Sequence, residues 1–135
     1  MLMKWKLIFL LSLFGLAMAF ATVFWIPTRI EPVFWLVIFI ICAYLIAKYC
    51  TSQYFLHGFL VGLVNCFWIT VIHAFCFHTY MANHPGMAQR MADMPMSNHP
   101  LRLMTLTGIG IGIVSGLVLG LFAFIATKLV KKPAA

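Results

Sequence analysis

The chain has 135 residues, 64% of them hydrophobic and only 8% charged, with a net charge of +7 and a mean hydropathy of +1.06. This excludes an ordinary soluble domain, where about a quarter of residues are charged, and excludes disorder, which needs low hydrophobicity and high charge. The basic residues lie singly between apolar runs, with Lys131-Lys132 the only adjacent pair, so no nucleic-acid partner is expected.

The first apolar run, Leu7 to Ile26, is broken only by Ser12, Gly15 and Thr22. Twenty residues at about 1.5 Å each match a hydrocarbon core of roughly 30 Å. Lys4 and Lys6 followed by Ala17-Met18-Ala19 and Ala19-Phe20-Ala21 also suit a signal peptide. The run, however, continues past both small-x-small sites, and signal cores span about 7–15 residues. We read it as a retained helix over about 5–26. Pro27 and Pro32 bracket a turn, and a second span follows over about 33–49. The third span covers about 53–80 and is the most polar. An outer loop over 81–99 leads to a fourth span over about 100–130, closed by Lys128, Lys131 and Lys132. The expected fold is therefore an all-α membrane protein forming a single domain over 1–135. It has four transmembrane helices in an antiparallel bundle, with a short interfacial helix in the outer loop.

Orientation follows from Lys and Arg counted on alternate sides. Lys4, Lys6, Lys48, Lys128, Lys131 and Lys132 fall on one side, and Arg29, Arg90 and Arg102 on the other. This asymmetry places both termini in the cytoplasm of a bacterial cell, the protein being multi-pass in the inner membrane. The lysines then meet anionic lipids at the cytoplasmic face. Trp5, Tyr49 and Tyr54 are expected at the inner interface and Trp25, Trp35 and Tyr80 at the outer one.

In the fourth span Gly108, Gly112, Gly116 and Gly120 recur every four residues, with Thr105, Ser115, Ala123 and Ala126 extending the face. In lipid, helices associate largely through close backbone approach along such small residues. The stripe is either a seam inside the bundle, a dimerisation face or a sliding surface for a gate. The third span carries a matching stripe of Gly58, Gly62, Asn65, Cys66, Ile69, His73 and Cys76. Polar groups at membrane depth are costly and face the interior, so Asn65 and His73 are expected to be buried against the glycine face of the fourth helix. There they either fix helix register or line a polar path. His57, near the inner end, is expected to reach for the interface. Glu31 and Asp93, the only acidic residues, are both expected in loops, which argues against a proton-driven exporter with an intramembrane carboxylate. The four cysteines fall in or at the ends of apolar runs and read as small buried thiols.

The stretch from His78 to Pro100, the outer loop with its flanks, holds three of the five histidines and five of the nine methionines. Thioethers with imidazoles suit Cu(I), and an outward-facing copper-handling loop is one reading. The other is structural. Asn-His-Pro occurs at Asn83-His84-Pro85 and at Asn98-His99-Pro100, and an Asn cap followed by Pro starts a helix. Met87, Met91 and Met94 then share one face opposite Gln89, Arg90 and Asp93, giving an amphipathic helix over roughly Pro85 to Met94 that lies in the interface. We favour the structural reading and expect no metal site and no cofactor.

Taken in order, the segments "YFLHGFLVGLVNCFW", "ANHPGM" and "KLVKK" resemble an uncharacterised family of small four-helix bacterial inner-membrane proteins. That family has no assigned activity, so the resemblance assigns no functional residue. The expected role is structural or accessory, through helix–helix contacts as a homo-oligomer or with a membrane-protein partner. A small transport or pore-forming (holin-like) protein is the first alternative and a Met/His copper-handling protein the second. No catalytic set of residues shares a depth with an acid, and no enzymatic activity is expected.

Overall fold

The computed structural model describes residues 3–132, and all of its regular structure is helical. Six helices follow in order: α1 (Trp5–Phe24), α2 (Glu31–Tyr49), α3 (Tyr54–Phe75), α4 (Phe77–Asn83), α5 (Pro85–Ala92) and α6 (Pro100–Leu129). α1, α2, α3 and α6 are each long and apolar enough to cross a membrane. Their outward faces carry Leu10, Val33, Val114 and Leu129, all largely exposed. A continuous apolar exterior of this kind suits lipid and not water.

Local chemistry sets the boundaries. Pro32 does not break the chain before the second helix as expected. It occupies the first turn of α2, where its missing N–H has no intrahelical partner to lose. Pro85 and Pro100 do the same at α5 and α6. The expected third span over 53–80 is divided, because Cys76 leaves helical geometry at φ −98°, ψ 27° and α4 sets off anew. That break turns Tyr80 back onto His73. The loop helix ends at Ala92, two residues short of expectation.

α3 and α6 share the broadest interface; α1 packs on α3, and α2 on α6. A Cβ on Gly58 would lie 2.8 Å from Cα of Gly120, and one on Gly62 2.5 Å from Cα of Gly116. Gly112 faces Cys66 and Gly108 faces Thr70. Each four residues forward along α3 thus meet four residues back along α6. Contacts this short leave no room for a side chain on either backbone. Behind the seam, Ile46, Val61, Leu119 and Ala123 are fully buried.

One end of the molecule gathers lysines. The Lys4 ammonium donates to the Tyr49 carbonyl and the Lys132 ammonium to the Tyr54 hydroxyl. Lys48 lies 5.6 Å from the Tyr49 ring centre, within cation–π range. At the opposite end the α1–α2 turn meets α4 and α5.

Candidate functional site

His57, Asn65 and His73 of α3 face α1, not the glycines of α6. At 100° per residue the single stripe expected from sequence separates into two rows. Gly58, Gly62, Cys66 and Thr70, four apart, meet α6. His57, Asn65 and His73, eight apart, are turned to α1. Lys4 N–H donates to His57 Nε2 at 3.1 Å, while His57 Nδ1 donates to the Gln53 carbonyl at 2.8 Å. This fixes a neutral ring with its proton on Nδ1. His57 is therefore buried and caps the otherwise unsatisfied amino end of α1, instead of reaching for the interface as expected.

Farther along, Asn65 Oδ1 accepts from Gly15 N–H at 3.2 Å and His73 Nε2 lies 2.8 Å from Thr22 Oγ1. Thr22 Oγ1 is also 2.8 Å from the Met18 carbonyl. The hydroxyl donates back to its own helix and accepts from the His73 ring. Ser12 stands in the same row and accepts from Trp68 Nε1 at 3.3 Å. Ser12, Gly15 and Thr22, which look like mere interruptions of the first apolar run, are the partners that make α3's polar groups tolerable at this depth. Their spacing of three and seven residues is helical, and that was the available signal.

Above His73 the rings continue as a column. The Tyr80 ring lies between His73 and His84, with centroids 4.1 Å and 4.4 Å away, both stacked. Tyr80, expected at the outer interface, is buried within the protein. Burial and the nearby Glu31 carboxylate push its phenol up to about 12, so the hydroxyl keeps its proton and remains a donor. His84 is also buried. Its Nδ1 lies 2.9 Å from the Tyr80 carbonyl and its Nε2 3.2 Å from the Ile26 carbonyl. Asn83 does not cap α5. Its Nδ2 donates to the Val23 carbonyl at 2.7 Å, and the residue at the cap position is His84. Likewise His99, and not Asn98, precedes α6. Asn83 and His84 together clasp α4 and α5 to the end of α1.

Beside this column a cleft of about 520 Å³ opens between α2, α3 and α6. Trp35, Phe39 and Phe122 form its aromatic side, joined edge to face. Asn65, His73 and Tyr80 form the polar side, and Thr28, Glu31 and Met87 lie at the end nearest α5. The half-exposed Leu36 and Ile111 mark a lateral opening between α2 and α6. Asn65 is 1% exposed, and its Nδ2 is the one buried side-chain nitrogen or oxygen without a hydrogen bond among the described residues. Flipping the amide would not help, since Gly15 N–H requires an acceptor. A buried donor left in this state costs about 1–3 kcal/mol.

The loop's imidazoles and Met87 differ in their surroundings. Met87 borders the cleft, His84 is turned to two carbonyls, and His78 and His99 are exposed. Among the described residues no group of three or more His, Cys, Asp or Glu side chains is placed to hold a metal ion. No protein-family model, curated protein or solved structure matches the chain.

Proposed function

We propose that this chain is a multi-pass bacterial inner-membrane protein of structural or accessory type. It is an antiparallel four-helix transmembrane bundle with both termini in the cytoplasm and α5 lying at the outer interface. The observation that carries the reading is the α3–α6 seam. Gly58, Gly62, Gly116 and Gly120 sit against the facing backbone within one chain, which makes the bundle a rigid unit and leaves neither glycine row free for dimerisation. The lysine-rich end formed by Lys4, Lys48 and Lys132 supports the cytoplasmic assignment and contact with anionic lipid. Contact with a second copy or a partner membrane protein then uses the outward faces of α1, α2 and α6. A pore would need a path through the bundle, and the half toward Lys4 is filled by Ile46, Val61 and Leu119. His84 is turned to backbone on both ring nitrogens, which leaves a copper-handling loop the exposed imidazoles of His78 and His99.

Purification from the membrane in a mild detergent, with native mass spectrometry of the complex, tests the role. A stoichiometric protein partner or a discrete homo-oligomer supports it. A monomer carrying neither would overturn it.

A further inference from the structure

We infer that the cleft between α2, α3 and α6 is a binding site for a neutral, carbonyl-bearing ring compound dissolved in the lipid phase. The inference goes beyond the scaffold role and stands without it. An idle donor stands on the cleft's polar side. Asn65 is buried, its Oδ1 is held by Gly15 N–H, and its Nδ2 has no partner although the residue borders the cleft. A ligand acceptor atom satisfies it, and an unpaired group of this kind discriminates strongly for a ligand that completes the bond. The Tyr80 hydroxyl, protonated throughout the physiological range, is a second donor on the same wall.

Size and shape narrow the class. About 520 Å³ lies within the roughly 300–1,000 Å³ of clefts that enclose drug-sized molecules. Trp35, Phe39 and Phe122 make the opposite wall, where flat rings pack edge to face or offset. No Lys or Arg borders the cleft among the described residues, and Glu31 stands at its end. An anionic headgroup is therefore disfavoured and a neutral acceptor favoured. The lateral opening between α2 and α6 gives entry from the bilayer and not from water.

The probe is n-decyl-1,4-benzoquinone, which carries carbonyl acceptors on a flat ring and quenches nearby indole fluorescence. Wild-type protein in detergent should show saturable quenching that is lost in Trp35→Phe, and n-decylbenzene should not compete. Asn65→Leu should weaken binding about tenfold or more. Because Asn65 also holds α1, Val118→Trp is the second variant. It closes the cleft from α6, leaves the Asn65–Gly15 bond in place and should abolish saturable quenching. Quenching that rises only linearly with probe in the wild type overturns the site. Unchanged affinity in Val118→Trp, or in folded Asn65→Leu, does the same. Equal displacement by monoolein, a neutral ester lipid, overturns the ring assignment in favour of a lipid ester.

Discussion

Asn65 on α3 accepts the backbone N–H of Gly15 on α1 at 3.2 Å, and a Cβ on Gly15 would lie 2.5 Å from that same oxygen and 2.6 Å from Asn65 Cα. The hydrogen bond and the missing side chain are one device. Gly15→Ala must push α1 away or break the bond. Overpacking of this kind costs about 1–3 kcal/mol, against a gain of at most about 1 kcal/mol from replacing a helical glycine by alanine. Thermal unfolding in detergent should fall for Gly15→Ala; an unchanged or raised midpoint would show that α1 does not approach α3 this closely.

Along the α3–α6 seam the glycines differ in what a side chain would strike. At Gly62 the obstacle is the Gly116 backbone at 2.5 Å, at Gly112 it is Cys66 Cβ at 3.0 Å, and at Gly110 nothing lies within 4 Å. Backbone cannot yield as a side chain can. Alanine should therefore lower stability most at 62, less at 112 and not at 110, where helix propensity favours it by up to about 1 kcal/mol. Leucine at 112 should be far worse than leucine at 110. Equal losses at all three positions in a detergent melt would remove the seam from the account.

His84 and Asn83 tie α4 and α5 to the carbonyls of Ile26 and Val23. Replacing His84 by Ala should release this end while the seam stays intact. Hydrogen exchange should then rise over 77–92, the span of α4 and α5, and not over α3 or α6. Protection unchanged over 77–92 would mean that packing, and not the clasp, holds the element.

Tyr80 gives the pH dependence. Its phenol is raised from 10 to about 12 by burial and by Glu31, so the folded state keeps a proton that the unfolded state releases first. The stability this represents is complete below pH 10 and is lost as pH rises toward 12. In the difference between wild type and Tyr80→Phe, the phenolate absorbance should have its midpoint near 12. Over the same range the wild type should lose more stability than the variant. A midpoint near 10 would place the ring in water.

The four long helices were legible because length and uniform hydrophobicity are enough to define them. Gly108 through Gly120 also announced a packing face by their spacing of four. What composition could not decide was which neighbour each face meets. Gly62 and Asn65 are three residues apart and fall within one apolar-to-polar sector, yet a rotation of about 60° sends one to α6 and the other to α1. That choice depends on Gly15 and Thr22 fifty residues earlier. His57 was misplaced for the same reason, since its acceptor nitrogen meets a backbone donor from Lys4. The division of the third helix at Cys76 carries no proline or glycine to mark it. It became visible only with Tyr80 stacked on His73.

That the bundle spans the inner membrane with its lysine-rich end in the cytoplasm is our proposal. It is tested most directly by single cysteines placed in a variant lacking Cys42, Cys50, Cys66 and Cys76. Ser97 and Thr51 are both exposed; Ser97 precedes α6 at the α5 end, and Thr51 lies in the α2–α3 turn at the lysine end. With a membrane-impermeant thiol reagent on intact cells, Ser97→Cys should label, and Thr51→Cys should label only after the cells are opened. Labelling of Thr51→Cys in intact cells, with Ser97→Cys protected, would contradict the account.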